Sequence, residues 1–405
     1  MPKLSVIIPT YNRAAFLGAA MDSVLNQTFR DFELIIVDDG STDDTAALVA
    51  SRNDPHIRYI HQANAGETAA RNTGIAHALG ALIGFLDSDD VMLPHNLETL
   101  VGILDSRPDV DVAYGWFYFM NVDGSPLSWV HGQLTGVIPP QHDVAWPNEK
   151  VLMSGTCLEG KVFEQMLLER EGTIVIGGAL IRRARIDKIG GFDPARKHQG
   201  HWDFYLRLAR TGCVFACARQ GVLMVRIHAS GAHKQTEKML RAWLEVLDGI
   251  FAKPLQPDVP AALHDQAYRN TYIFYTTIFA QDGVFDRAFE CLNEAMRLGG
   301  PLDAMTLDLV AHALAQHVLG GKGAPLAMLN QLTTQVNDPR TRAVLRRTGT
   351  AIVSHHKVFE ARTGSLRGRG QIARYAWHAI RSKPAFVRDR GLWRVVLGAM
   401  VKPGG

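Results

Sequence analysis

Through the first 115 residues, apolar runs of strand length alternate with stretches whose apolar residues recur at three- and four-residue intervals. That is the pattern of strands joined by helices, and so of a largely parallel sheet. Residues 4–8, 32–37, 56–61 and 81–86 read as strands, and 14–26, 42–51 and 68–78 as the intervening helices. Three of the strands run into polar loops: Pro9-Thr10-Tyr11-Asn12, Asp38-Asp39-Gly40-Ser41 and Asp87-Ser88-Asp89-Asp90. In an open α/β sheet ligands bind in the crevice outside the carboxyl ends of the strands, so these loops mark where function is expected.

Residues 116–175 are less regular, with Pro139-Pro140, Pro147 and several glycines, and read as long loops around short strands and a helix at 162–169. A second α/β portion follows: an apolar run at 173–181, a Gly190-Gly191-Phe192-Asp193-Pro194 turn, a helix at 202–211 and a strand at 222–227. From about residue 234 helical periodicity takes over, at 236–252, 261–281, 285–298, 301–319 and 325–335, the last two opening with a proline where a helix tolerates one. The spacing of Ala280, Gly283, Phe285, Ala288, Leu292 and Ala295 resembles one helix-turn-helix of a tetratricopeptide unit. Stable arrays need about three copies, so this part reads as a helical accessory domain. The expected organisation is α/β at 1–234, a helical accessory domain at 235–340 and a basic helical tail at 341–405.

Composition narrows the class. The 405 residues are 47% apolar and 20% charged with 4 cysteines, which excludes a disordered chain, a collagen and a disulfide scaffold. Cys157, Cys213, Cys217 and Cys291 show no paired CxxC spacing, and all four read as core or near-core thiols in a reducing compartment. The formal net charge of +3 hides an asymmetry: from residue 341 onward there are 14 Lys/Arg against 2 Asp/Glu, a net of +12, leaving 29 against 38 and a net of −9 before it. A basic tail on an acidic body suggests a polyanionic partner, an anionic membrane face or nucleic acid, unless it is a solvated basic face packed on that body. The chain enters its first strand pattern directly after Met1-Pro2-Lys3 and holds no run of 18 apolar residues, so neither a signal peptide nor a membrane span is expected.

The chemistry gathers at the strand ends. Phe85-Leu86-Asp87-Ser88-Asp89-Asp90 places three carboxylates just past an apolar strand with no basic residue nearby. Such a cluster suits a hard cation, Mg2+ or Mn2+, shared with substrate phosphates, or else a solvated acidic turn. Asp39 stands where a carboxylate accepts hydrogen bonds from a base or ribose, Tyr11 offers an aromatic face, and Arg71 a guanidinium suited to phosphate.

Taken together, Ser5-Val6-Ile7-Ile8-Pro9-Thr10-Tyr11-Asn12, Ser23-Val24-Leu25-Asn26-Gln27-Thr28, the block 33–43 around Asp38-Asp39-Gly40-Ser41-Thr42, Ala70-Arg71-Asn72-x-Gly74 and Phe85-Leu86-Asp87-Ser88-Asp89-Asp90 resemble the family 2 glycosyltransferases of the GT-A fold. The resemblance continues through Ile181-Arg182-Arg183, Gly190-Gly191-Phe192-Asp193, residues 202–208 and Arg226-Ile227-His228, and covers about residues 3–232. It implies inverting, metal-dependent sugar transfer by single displacement from a nucleotide-diphosphate sugar, UDP-sugars favoured, to a glycan or lipid-linked acceptor. Carried over by motif, Pro9, Tyr11, Asp39 and Arg71 surround the nucleotide and Asp87 the ribose, while Asp89, Asp90 and His228 serve the metal and diphosphate.

One block departs from the family. Aligned on Leu206-Arg207, Gly200-His201 stands where the family has Glu-Asp, so the general base is either His201 or the later acid Asp203. The expected setting is cytoplasmic cell-envelope polysaccharide synthesis, the tail touching the inner membrane face. Nucleotidyl transfer is the alternative enzyme class, and a non-catalytic nucleotide-sugar or glycan-binding module the alternative outside enzymes. Nucleotidyl transfer predicts a Gly- and Lys/Arg-rich loop after the first strand, which Pro9-Thr10-Tyr11-Asn12-Arg13 is not.

Overall fold

A computed structural model describes residues 1–125, 158–168, 174–196, 198–227, 232–252, 262–300, 302, 304–320 and 325–360, with 145–146, 149–150 and 153–154 as short strands. In chain order the first part contains β1 (Leu4–Thr10), α1 (Ala14–Leu25), β2 (Phe32–Asp38), α2 (Thr45–Ser51), β3 (Ile57–His61), α3 (Glu67–His77), β4 (Leu82–Phe85), β5 (Val91–Met92), α4 (Asn96–Ser106) and β6 (Val112–Met120). There follow β7 (Ala145–Trp146), β8 (Glu149–Lys150), β9 (Met153–Ser154), β10 (Gly160–Lys161), α5 (Phe163–Leu168), β11 (Ala179–Arg182), α6 (Arg183–Ile189), α7 (Gly200–Arg210) and β12 (Val214–Arg226). By contacts the chain divides into two compact units, Met1–Ser230 with Arg241–Val259, and Gly231–Leu240 with Pro260–Gly405.

The main sheet runs β10-β12-β6-β11-β4-β1-β2-β3. Its half from β4 to β3 is parallel, while β11 lies antiparallel between β4 and β6. β1 and β2 are buried at every residue, which is why they read as unbroken Val/Ile/Leu runs rather than as alternating strands. The strand order reverses between β4 and β1, with β2 and β3 on the far side of β1. That reversal opens the ligand crevice of an open α/β sheet.

Two strands were obscured in the sequence. Most of β6 falls in the stretch 116–175 that the sequence pattern predicts to be irregular, and Gly115 lies within the strand. A Cβ on Gly115 would lie 2.6 Å from Val222 Cγ1 and 2.9 Å from Gln220 O, so glycine admits β12 rather than making a turn. β12 was expected only over 222–227; it begins at Val214 and carries a register shift between Cys217 and Gly221, with Arg219 at φ 51°. The exposed Arg219-Gln220 bulge imitates a loop.

α7 is seated by aromatic packing. The Phe192 and Phe204 rings stack with centroids 4.1 Å apart, and Phe85 of β4 meets both edge-on at 5.3 and 6.2 Å. Within the same unit, Trp202 packs edge-on against Trp243 at 5.4 Å.

The second unit is helical over its described residues. α9 (Leu263–Gln281) and α10 (Phe285–Gly299) form a hairpin turning at Gly283, φ +75°, with Ala280, Phe285, Ala288, Leu292 and Ala295 all buried. α11 (Ala304–Gly320), α12 (Pro325–Leu332), a 3-10 turn at Thr333–Gln335 and α13 (Pro339–Glu360) follow; of α8 (Ala232–Phe251) only the part up to Leu240 belongs to this unit. The expected helix at 325–335 thus ends in the tighter turn, and Pro301 and most of the basic tail, from 361 on, lie outside the described residues. Cys213 and Cys291 are buried free thiols, whereas Cys217, expected as a thiol, is disulfide-bonded. The reducing-compartment argument loses that support. Among the described residues no helix is long and apolar enough to cross a membrane.

Candidate functional site

The first two loops are locked together by motif residues whose side chains bond backbone. Asn12, at φ 51°, donates its N–H to Ser41 Oγ (2.9 Å) and accepts Thr42 N–H on Oδ1 (2.8 Å). Asp43 accepts the Ala14 N–H at 3.0 Å, at the opening of α1, where a carboxylate also meets the helix dipole favourably. Tyr11, between these anchors, is 48% exposed, while Pro9 is buried within β1 opposite Val37.

Asp39 sits differently from the expectation of an open ligand carboxylate. It is 2% exposed, and it accepts Gln62 Nε2 and Ala65 N–H on Oδ1 at 2.7 and 2.9 Å and Gly66 N–H on Oδ2 at 2.8 Å. Gly66 opens α3 at φ +92°, so Asp39 holds the 62–66 turn and lies at the positive end of that helix.

The motif Ala70-Arg71-Asn72-x-Gly74 lies on α3. Ala70 is buried, and a Cβ on Gly74 would fall 2.3 Å from Ile7 Cγ2, so this position brings α3 close onto β1. Arg71, its side chain 4% exposed, donates to Asp87 Oδ1 at 2.6 Å and to the Glu67 carboxylate. Its guanidinium lies 5.4 Å from the Phe192 ring centroid, and its Nε is buried with no partner among the described residues. Burial opposes its charge, but Asp87 and Glu67 outweigh that and raise its pKa. Glu67 is a member of this cluster that the sequence reading missed; its signal was the i,i+4 spacing to Arg71.

The acidic loop is bound to the end of β12. Asp90 is buried and accepts the Arg226 N–H at 2.9 Å. Burial first, then the charge of Asp87, pushes its carboxyl well above the usual range. Arg226 Nε donates to Asp89 O at 2.8 Å, its Nη1 donates to Asn121 O and Val122 O, and its guanidinium covers the Phe16 ring at 5.1 Å. Arg13 Nη1 stands 3.7 Å from Asp89 Oδ2. His228 lies outside the described residues, and among the described residues no three His, Cys, Asp or Glu side chains are assembled as a metal site.

The two base candidates lie on the first turn of α7 in different surroundings. Asp203 is 4% exposed, accepts Arg207 Nε at 2.7 Å and has Arg196 Nε at 3.9 Å. His201 is half-buried; burial and then the charge of Arg71 push its pKa down to about 4, against an opposing pull from Asp87. The imidazole is therefore neutral near pH 7. One turn after His201 on the same helix face, the buried Tyr205 hydroxyl has no hydrogen-bond partner among the described residues, and burial raises its pKa.

The comparisons agree with this geometry. Residues 5–163 match Glycosyl transferase family 2. The chain is 40% identical over 141 residues to an uncharacterized glycosyltransferase of Rickettsia conorii, covering 34% of this chain and 23% of that one. It is 44% identical over 113 residues to the uncharacterized glycosyltransferase YibD of Escherichia coli (27% and 33%), and 27% identical over 253 residues to one of Rickettsia prowazekii (62% and 72%). The chain thus spans less than two fifths of the length of the first curated relatives it matches. A mannosyltransferase of Pyrobaculum calidifontis, solved with GDP-Man and Mn2+, superposes with a TM-score of 0.50 at 17% identity, covering 87% of this chain and 85% of that one. With the mixed, mostly parallel sheet and its reversal beside the acidic loop, the amino-terminal part of this chain has a GT-A-type fold, and its residues 5–163 match the glycosyl transferase family 2 model.

Proposed function

We propose that the protein transfers a sugar, with inversion, from a nucleotide-diphosphate sugar to a glycan or lipid-linked acceptor. The observation that carries this reading is the Arg71–Asp87 contact of 2.6 Å at the strand reversal, in the loop that continues into Asp89 and Asp90, with Tyr11 exposed in the loop after the neighbouring strand β1. A guanidinium held at that point meets the charge that grows on a departing diphosphate. The donor class is supported by the Pyrobaculum neighbour, which was solved in complex with GDP-Man and Mn2+.

A divalent cation, Mn2+ or Mg2+, fits the donor set. Asp89 supplies a hard oxygen with its side chain 20% exposed and Asp90 follows it in the loop, and such cations take one or two carboxylates and complete their shell with substrate phosphates and water. When bound, the cation supplies Lewis-acid stabilisation of the leaving diphosphate. Arg71 orients that diphosphate, Asp87 faces the ribose, and Tyr11 underlies the base.

The acceptor hydroxyl must lose a proton as its oxygen attacks. His201 takes that role in this reading, because both Asp203 oxygens already face arginines while the imidazole is neutral near pH 7 and carries no competing charge. An anionic donor offsets the Arg71 charge that lowers the His201 pKa, and so moves the imidazole toward the useful range. Residues 1–234, 235–340 and 341–405 serve as catalytic domain, helical accessory domain and basic tail, the tail meeting an anionic membrane surface.

The test is release of nucleotide diphosphate from UDP- and GDP-sugars with Mn2+, with and without acceptor glycans. Acceptor-stimulated release supports transfer. Binding without release in any mixture would leave a nucleotide-sugar-binding module instead.

A further inference from the structure

We propose that Arg13 is an exchangeable counter-ion of the acidic loop: it faces the Asp89 carboxylate while no divalent cation is bound, gives way when one arrives, and so sets the cation affinity of the site. The inference rests on the cation-dependent reading above and adds to it a residue that competes with the cation. The carboxylates of Asp87, Asp89 and Asp90 crowd into one short loop, and each is met by a different group. Asp87 Oδ1 accepts from Arg71 at 2.6 Å, Asp90 Oδ1 accepts the Arg226 N–H at 2.9 Å, and Asp89 Oδ2 stands 3.7 Å from Arg13 Nη1.

The two arginines beside Asp89 are used in different ways. Arg226 spends its guanidinium on main-chain oxygens, donating to Asp89 O at 2.8 Å, to Val122 O at 2.6 Å and to Asn121 O at 3.1 Å, and so anchors the loop by its backbone. Arg13 is held by its own backbone instead. Standing at the N-cap of α1, its C=O accepts the N–H groups of Phe16 and Leu17, both at 2.9 Å. Its side chain is 42% exposed, and a separation of 3.7 Å is an ion pair without a direct hydrogen bond. A contact of that kind within reach of solvent is weak and exchanges readily.

The Phe16 ring gives Arg13 a second seat. The guanidiniums of Arg13 and Arg226 lie 5.8 and 5.1 Å from its centroid, inside the range at which a ring face attracts a cation. Arg13 can therefore leave the Asp89 carboxylate and stay beside the loop, where its fork suits the phosphate oxygens of an arriving diphosphate. The exchange replaces a singly charged partner of Asp89 with a doubly charged one, which is the electrostatic gain that drives it.

The experiment adds Mn2+ to the full chain without nucleotide and follows the protein-dependent loss of the free-ion electron paramagnetic resonance signal. Wild type, Arg13→Gln and Arg13→Lys are compared, and each series is repeated with inorganic pyrophosphate against a protein-free blank. Without pyrophosphate, Arg13→Gln should bind Mn2+ about two- to fivefold more tightly than wild type, the range of one partly exposed ion pair. Arg13→Lys keeps the charge and should stay near wild type. The gain of the Gln variant should shrink as sodium chloride is raised, because screening weakens the competing pair. Should Gln lower the melting temperature, Arg13→Met takes its place. Equal or weaker Mn2+ binding by the neutral variant without pyrophosphate, a gain as large in the Lys variant, or a gain indifferent to salt overturns the role of Arg13 and leaves the cation reading standing. Failure of Mn2+ to bind wild type and variants alike, with and without pyrophosphate, overturns the cation reading itself.

Discussion

Asn72 holds the backbone of Phe192 from both sides: Nδ2 donates to Phe192 O, and Phe192 N–H donates to Oδ1, each at 2.8 Å. The pair joins α3, which carries Arg71, to the segment leading into α7, which carries His201. It also explains the glycine before the phenylalanine. Gly191 is at φ +76°, and a Cβ there would lie 2.6 Å from Asn72 Oδ1.

Asn72→Ala should therefore cost stability and geometry together. Losing both bonds leaves a partly buried N–H and C=O unpaired, at about 1–3 kcal/mol for each unsatisfied group. Thermal unfolding should show a fall of several degrees. Nucleotide titration should change less than the turnover rate, because the residue acts on the placement of α7 rather than on the phosphates. Unchanged turnover in a folded variant would remove this positioning role.

At Gly74 two effects of opposite sign compete. Gly→Ala inside a helix ordinarily gains about 1 kcal/mol of helix propensity. Here the new methyl would meet Ile7 Cγ2 at 2.3 Å in a fully buried strand, and overpacking of that kind costs about 1–3 kcal/mol. Steric cost wins, so Gly74→Ala should lower the denaturation midpoint; the double variant with Ile7→Val should recover part of the loss.

Much of this architecture was legible because β1, β2 and β4 are buried at every residue and stand out as apolar runs. β6 and β12 were obscured where glycine and a polar bulge serve close packing instead of a turn. The acidic loop, Arg71 and the strand-end row were legible as residue types, yet their division of labour was not. Nothing in the spacing of Asp39 told that its carboxylate would be spent on the 62–66 backbone, which lies more than twenty residues away. Asp203 did stand four residues before Arg207, the spacing of a helix ion pair.

Asp89→Asn should lower metal-dependent transfer by about a hundredfold or more, the scale seen on removing one principal electrostatic stabiliser. Asp89 is half-buried and faces Arg13 at 3.7 Å, so the substitution leaves no carboxylate stranded in the core and the fold should survive. Donor binding measured with Mn2+ and with EDTA checks the cause: wild type should lose affinity in EDTA, and the variant should be nearly indifferent. Wild-type turnover in the variant, or full activity in EDTA, would refute the role of the acidic loop.

The lowered pKa of His201 has a consequence for stability whose sign is fixed. In the unfolded chain the imidazole takes up a proton near pH 6.5; in the native state it resists down to about 4. The unfolded state therefore binds more protons throughout that interval, and stability falls as pH falls through it, by up to about 1.4 kcal/mol per pH unit for one such group. Above pH 6.5 the contribution is fully present. His201→Gln, which does not titrate, should show a flatter decline in unfolding free energy between pH 7 and 4.5 than wild type, measured by urea denaturation at each pH. A saturating nucleotide diphosphate, by offsetting the Arg71 charge, should raise the native pKa and flatten the wild-type curve as well. Parallel curves for wild type and variant would show that His201 protonates freely in the native state, and would remove the basis for treating it as a neutral base held beside Arg71.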